Sequence, residues 1–242
     1  MNLILFEPDE VGRALPPDDR RTRHIRDVLK AAPGDVFKAG VLDGGIGTLR
    51  VTEVGDEGVE FELNLYESSP RPHPLALIIG APRPLVTGRL LKDLTCLGAA
   101  ALAFVRAELC EKSYFESHLW RNDGYREHLR EGAELSGSTF LPEVKLFASL
   151  KESLEQFESA ALRLVLDAGA PERLYEAHIE REPEPEKPAV LAVGPERGWT
   201  EAELELFEAA GFQKVNLGRR VLRTEAACLA GASLLLAKMG RI

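Results

Sequence analysis

AVGPERGWTEAELELF, Ala192 to Phe207, and NLGRRVLRTEAA, Asn216 to Ala227, decide the fold class. Each reads as a short apolar strand, a glycine turn and the start of a helix. In the first, Thr200 is placed to cap the helix. Glu203 stands three residues on, which makes a capping box. Gly211 is placed to end that helix in the left-handed conformation. GPERGW is therefore a loop between a buried strand and a capped helix. In an open α/β sheet, loops at the carboxyl ends of strands are where ligands bind. Gly194 and Gly198 let backbone approach a ligand closely, and Pro195 stiffens the turn. The second stretch repeats the arrangement. KVNL is a short strand followed by Gly218, Thr224 is placed as the next helix cap, and Glu225 sits in the positive first turn. Arg223 stands at the helix entrance. An arginine, a carboxylate and exposed loop amides then meet without a Gly-x-Gly-x-x-Gly pattern or a P-loop lysine.

Outward from these turns the pattern stays α/β. LALIIGAP is a continuous apolar run, as in a parallel strand buried on both faces. A helix is expected from about Thr87 to Ala99, then the strand ALAFV. A helical stretch from Tyr114 to Leu135 is broken at Asn122-Asp123-Gly124. A short helix from Leu150 to Ser159 leads to the strand LRLVLDAG. EREPEPEKP reads as a surface loop before AVLAVG. Alternating strands and helices mean a parallel sheet. The first seventy residues differ. NLILFE, DVFKAGVLDGG and GTLRVTEVGDEGVEFELNLYE are strands around hairpin turns at Asp43-Gly44-Gly45 and Gly55-Asp56-Glu57-Gly58. Val59, Phe61, Leu63 and Leu65 face one way. A helix from about Asp18 to Lys30 sits between, closed by Pro33-Gly34. So many short strands suggest a small barrel. SSPRPHP, Ser68 to Pro74, reads as a linker. The expected division is residues 1–69 and 70–242.

The 242 residues are 45% apolar and 29% charged, an ordinary globular composition. MNLILFEPDE has no basic segment and meets acid within seven residues, unlike a signal peptide. The run Ala226 to Ala237 is too short to span a bilayer. Cys96, Cys110 and Cys228 are odd in number and widely spaced, as expected of reduced thiols in a cytoplasmic protein. No His/Cys spacing fits zinc, so no metal is expected. The net charge of −9 argues against a surface that binds nucleic acid all over. It leaves room for local basic sites at RRTRHIR (Arg20 to Arg26) and at Lys214, Arg219, Arg220 and Arg223. Either run also fits a solvated charged face.

The two opening stretches together resemble the signature of the RsmE family, SPOUT-class methyltransferases that act on N3 of a uridine in 16S ribosomal RNA. VGPERGWTEAEL is similar to the family's Gly-Pro-Glu-Gly-Gly motif. LGRRVLRTEAA is similar to its Leu-Gly-x-Arg-(Ile/Val)-Leu-Arg-Thr-Glu motif. HIRDVLKAAPGDVFKAGVLDGG, KDLTCLGA and REGAELSGSTFLPEV resemble further family segments, so the likeness spans nearly the whole chain. It implies a PUA-like β-barrel at the N-terminus that binds RNA, and a C-terminal α/β domain with a deep trefoil knot, a rare exception to ordinary connection rules. It also implies a homodimer and S-adenosylmethionine as cofactor. The cofactor positions it implies are Leu166, Val193, Gly194, Glu196, Leu217, Gly218, Val221, Leu222 and Arg223.

Several positions depart from the family pattern. Arg197 replaces a glycine, and Lys30 stands for an arginine. Leu135 and Ser138 replace a glutamine and an arginine, Asn2 is near the place of another arginine, and Cys96 replaces a glutamate. RNA contacts are expected from Arg20, Arg21, Arg23, His24, Arg26, Lys30 and Arg197. Arg223 is expected to stabilise charge that develops on the uracil oxygens. Glu196 is expected to orient Arg223, position the base or aid deprotonation, or else to shape the loop through a salt bridge. Two rivals remain: a SPOUT methyltransferase with another RNA substrate, and a non-catalytic RNA-binding or ribosome-assembly module. The last helix, apolar nearly all round, must be buried. Its alanines and Gly231 fit either a dimer interface or the domain's own core.

Overall fold

The computed structural model describes residues 2–242. The chain divides into two compact units. One runs up to Arg71 and takes in Ala133–Leu141; the other is Pro72–Gly132 with Pro142–Ile242.

The first unit is built on four strands: β1 (Ile4–Phe6), β2 (Val36–Val41), β3 (Gly45–Gly55) and β4 (Gly58–Ser68). They pair in chain order, β1 parallel to β2 and the others antiparallel. The barrel expected from the strand count appears as an open sheet, and among the described residues β1 and β4 are not paired. With only three residues in β1, little edge is offered for closure. The inward alternation of β4 holds for Val59, Phe61 and Leu63 and then fades, leaving Leu65 and Tyr66 exposed. The core joins Phe6, Leu15, Ile25, Leu49, Val51 and Val59. A single turn of helix, α1 (Arg20–Arg23), widens into a π turn over His24–Val28, so the expected helix forms only in part. Ala133–Leu141 is tied in by backbone: Leu3 N donates to Glu134 O at 3.1 Å and Asp43 N to Thr139 O at 3.0 Å.

The second unit holds β5 (His73–Gly80), α2 (Pro84–Cys96), β6 (Ala99–Val105), β7 (Glu143–Phe147), α4 (Leu150–Gln156), β8 (Leu162–Leu166), β9 (Ala189–Val193), α5 (Glu201–Ala209), β10 (Gln213–Val215) and α6 (Thr224–Lys238). The helix α3 (Tyr125–Ser136) enters from this unit and ends in the segment grouped with the first. The six strands form one parallel sheet in the order β10-β8-β9-β5-β6-β7. Central strands β5 and β9 are apolar along their length because both faces are covered. On one face Leu150, Leu154, Leu204 and Phe207 of α4 and α5 pack on Ile78, Val190 and Ala192. On the other lies α6, packed against β5, β9 and α2. A Cβ at Gly231 would meet Leu191 Cδ2 at 2.7 Å, so the absent side chain sets how close α6 lies to β9.

Local expectations fare unevenly. The capping box at Thr200 and Glu203 is present, and Gly211 has φ of +76°. The break before α3 falls at Asn122 and Asp123, both at positive φ, but the stretch ahead of it forms only short 3-10 turns. Helix α2 starts three residues earlier than expected, with Pro84 preorganised at its first turn. Strand β7 was not anticipated: its burial is only partial, and EVKLF carries two charges in five residues.

One connection bears on the chain's path. The segment after β8 returns to lie along the segment after β10. Asn216 N donates to Glu172 O at 2.8 Å, Leu174 N to Asn216 O at 2.9 Å, and Asn216 Nδ2 to Ala170 O at 2.7 Å.

Candidate cofactor-binding and catalytic site

Three adjacent strands, β10, β8 and β9, end at one edge of the sheet, and the loops leaving them enclose a cavity of about 290 Å³. Its walls combine Leu166, Asp167 and Ala168 after β8, Val193 to Gly198 after β9, and Asn216 to Gly218 with Arg220 to Leu222 after β10, closed by Thr224 and Ala227 of α6. Side-chain hydrogen bonds hold these loops in shape. Asn216 Oδ1 accepts from Gly218 N at 2.8 Å, and Asp167 Oδ1 accepts from Gly169 N at 2.9 Å. Gly218 has φ of +112°, and a Cβ there would meet nothing within 4 Å. Thr224 was expected to cap α6. Arg223 occupies the cap position instead, and the Thr224 hydroxyl donates to Gly194 O at 3.3 Å, joining the second loop to the first. Glycine at 80 serves the same packing from below, since a Cβ would collide with Pro195 Cδ and lie 2.7 Å from Pro195 N.

Eight of the nine residues expected around the cofactor line this cavity: Leu166, Val193, Gly194, Glu196, Leu217, Gly218, Val221 and Leu222. Arg223 is not a wall residue. It stands between Leu222 and Thr224 with an exposed side chain. Among the described residues no hydrogen bond or ion pair joins Glu196 and Arg223. The Glu196 carboxylate instead accepts from Arg83 N at 3.1 Å and faces Arg83 Nε at 3.5 Å, which favours loop shaping over orientation of Arg223. Sequence reasoning missed Asp167, Asn216 and Arg220 as wall residues and Arg83 as the partner of Glu196. The Asn216 and Asp167 turns left a signal: short polar side chains beside a strand end that bond their own backbone two residues on. Arg83 left none. Nearby, burial pushes the Cys110 thiol up to about 11, so it stays protonated at neutral pH.

The basic stretch in the first unit is a different matter. Arg21 is only 5% exposed. Its guanidinium donates to Leu5 O at 2.9 Å, to both oxygens of Glu10 at 2.7 and 2.8 Å, and to Asp19, and it lies over the Phe6 ring. Burial works against its charge, but the bonds to Glu10 and Asp19 outweigh burial and hold it protonated. Arg21 is therefore an internal anchor, and its assignment to RNA is withdrawn. Arg20 is engaged too, in a bidentate pair with the buried carboxylate of Glu134 at 2.5 and 3.0 Å. Arg23 and Lys30 are exposed, His24 and Arg26 are half-buried, and Arg26 pairs with Asp27. Arg197 is exposed and lies in the cavity wall. Two positions that depart from the family pattern meet in this unit, where Asn2 Nδ2 donates to Leu135 O at 2.8 Å.

Among the described residues no helix is long and apolar enough to cross a membrane. Residues 69–236 match the family described as RNA methyltransferase domain. The chain is 36% identical to a ribosomal RNA small subunit methyltransferase E from Treponema pallidum, over 98% of this chain and 91% of that protein. The chain belongs to this family. A second family member, ribosomal RNA small subunit methyltransferase E 1 of Borreliella burgdorferi, is 32% identical over 99% of both chains. Among solved structures, a family member from Neisseria gonorrhoeae bound to S-adenosyl methionine superposes with a TM-score of 0.76 at 27% identity, covering 98% of this chain and 97% of that one. A methyltransferase structure from Legionella pneumophila shares the fold, with a TM-score of 0.79 at 20% identity.

The cavity suits the cofactor of such an enzyme. Leu166, Val193, Leu217 and Leu222 offer an apolar bed for an adenine ring. Glycine backbone at 194, 198 and 218 gives close approach, and Asp167 can accept hydroxyl protons. A Gly218→Val variant is expected to bind S-adenosylmethionine at least about tenfold more weakly, because Gly218 lines the cavity and a β-branched residue is strained at its positive φ. Calorimetry reads this directly; an unchanged affinity would remove Gly218 from the site.

Proposed function

We propose that the protein is an S-adenosylmethionine-dependent methyltransferase that acts on N3 of a uridine in 16S ribosomal RNA of the small subunit. The observation that carries this reading is the cavity at the carboxyl ends of β8, β9 and β10, formed by the two glycine loops that bear the family's motifs. When bound, S-adenosylmethionine supplies a methyl group activated on a sulfonium. The protein's part is to hold the uracil in line with that group and to stabilise the charge that spreads onto O2 and O4 as N3 loses its proton. Arg223, exposed beside the cavity and without an ion-pair partner among the described residues, is free to face those oxygens. Glu196 keeps the first loop in place through Arg83.

Finer features belong to the same reading. The N-terminal region, residues 1–69, is an RNA-binding domain of the PUA-like barrel lineage, with its sheet open at one side, and residues 70–242 form the SPOUT domain. Arg23, His24, Arg26 and Lys30 of the first, with Arg197 of the second, contact RNA. The return of residues 170–174 along Asn216 supports a trefoil knot, with α6 drawn through after β10. Leu229, Ala230 and Leu234 of α6 are only partly covered, which supports a homodimer. The place of work is the cytoplasm, where ribosomal subunits are found.

The test is incubation with labelled S-adenosylmethionine and small ribosomal subunits, followed by mapping of the modified base, with sedimentation of the same preparation to read its mass. N3-methyluridine in 16S RNA and a two-chain mass are expected. Label at another base or in another RNA would assign a different substrate, to which Arg197 and Leu135 would be the first guides. No transfer to any RNA would overturn the enzyme reading.

A further inference from the structure

A second cavity, of about 520 Å³, opens beside the first and is not used by the chemistry above. Pro84, Leu85, Gly88, Arg89 and Lys92 of α2 form one wall. His118 and Leu119 of the 3-10 turn and His128 and Glu131 of α3 form the other. Glycine at 88 makes room for this ring, because a Cβ there would stand 2.9 Å from His128 Nε2. The imidazole therefore lies directly against the backbone of α2.

The wall carries two permanent cations against one carboxylate in a chain whose net charge is −9. Neither cation is firmly committed. Arg89 Nη1 lies 3.5 Å from Glu225, and Lys92 Nζ lies 3.6 Å from Glu131, both long and partly exposed pairs. Such pairs contribute little, so either cation can turn to a better anion. Two imidazole rings and a Pro84–Leu85–Leu119 floor offer flat and apolar surface beside the charge. Cations beside ring faces are the combination that takes a phosphodiester with its base.

Position makes the same point. Two ion pairs tie the start of α2 to the surroundings of the first cavity. Arg83, just ahead of Pro84, holds Glu196 in the wall of the first cavity. Arg89, in the wall of the second, pairs with Glu225, which follows the first cavity's Thr224. From Arg83 to Lys92 the helix rises roughly 14 Å. A strand whose target base is presented to a cofactor in the first cavity thus passes the second within a few nucleotides.

We propose that this second cavity is a subsite for a nucleotide flanking the methylated one in a single-stranded RNA segment, with Arg89 and Lys92 on its phosphate and His128 against its base. The proposal rests on the RNA methyltransferase reading, but its test does not need methyl transfer. A fluorescent single-stranded RNA oligonucleotide containing uridine is titrated against the full-length parent and the Arg89→Ala/Lys92→Ala protein across a salt series. The double variant is expected to bind about tenfold or more weakly, the scale for losing charge-assisted hydrogen bonds. The steepness of its log–log salt dependence is expected to fall by about 1.4, or 0.7 for each cation removed. Arg89→Lys/Lys92→Arg is expected to keep most of the affinity, and calorimetric S-adenosylmethionine binding is expected to hold in both, which excludes misfolding.

Equal RNA affinity and salt slope in parent and double variant would overturn the subsite, as would a parent that binds no oligonucleotide. Uridine 5′-monophosphate that competes as tightly as the oligonucleotide would overturn the strand and leave a free-nucleotide site. Loss of the two-chain mass in the double variant with unchanged RNA affinity would assign the cavity to a second copy instead. A parent that transfers no methyl group, yet binds RNA through Arg89 and Lys92, would sink the enzyme reading and leave the subsite standing.

Discussion

Arg223→Ala is expected to lower methyl transfer by about 100-fold or more, the scale for losing one preorganised donor to a developing oxyanion. The affinities for S-adenosylmethionine and for RNA are expected to hold. Arg223 stands at the N-cap of α6, where capping comes from backbone and not from its side chain. Truncation therefore removes a solvent-facing guanidinium and little of the fold. Single-turnover rates with saturating cofactor and small subunits read the chemical step apart from binding. A drop confined to KM would make Arg223 a contact for RNA. A parental rate would clear it of any part in the chemistry, and Arg220 and Arg197, both in the cavity wall, would be the next to replace.

Arg21→Ala is expected to act on stability. Removing one partner from a buried charge cluster leaves the others unpaired, a loss of about 3–5 kcal/mol at neutral pH. Glu10, Asp19 and the Leu5 carbonyl would all lose the guanidinium, leaving the two carboxylates only backbone N–H donors, and Phe6 would lose its cation. The effect is expected to depend on pH in a definite direction. In the folded chain, burial tends to raise the Asp19 carboxyl, but the bonds and charge of Arg21 outweigh burial and hold it below its usual 3.8. That contribution is fully present above the unfolded carboxylate range and is lost as pH falls through the folded value. In the variant the Asp19 carboxylate is relieved by protonation. The gap between parent and variant in urea denaturation is therefore expected to narrow toward pH 3. A gap under about 1 kcal/mol at pH 7, or one that stays constant into acid, would show that the cluster does not anchor the sheet.

These two arginines show where a linear reading stops. In the sequence both belong to basic runs, and a run says only that charge is present. Arg21 was grouped with its neighbours as an RNA contact, yet it points inward because Asp19, Glu10 and the end of β1 converge on it. Arg20 turns to Glu134, 114 residues away. No local pattern encodes those pairings. By contrast, the cofactor loops were legible because their determinants are local. A buried apolar run, a glycine at a turn and a capping box each occupy a handful of consecutive residues. Eight of nine expected wall residues follow from two such stretches and one strand end. Arg83 escaped notice because it reaches Glu196 from a loop 113 residues away.

By itself the sequence determined the α/β character of the larger unit, most of its strands and helices along the chain though not β7, and the two glycine loops that bear the site. Hydrophobic periodicity, turn residues and caps act over a few positions, so they can be read without knowing what lies opposite. Only the tertiary structure decided that β8 lies between β9 and β10, bringing the two loops together, and that the four N-terminal strands stay an open sheet. It alone tied Ala133–Leu141 to that sheet and opened a second cavity between α2 and α3. Those outcomes depend on which faces meet. That choice is set by the shape and burial of residues far apart in the chain, where a small residue such as Gly80 allows an approach of backbone that a larger one would forbid.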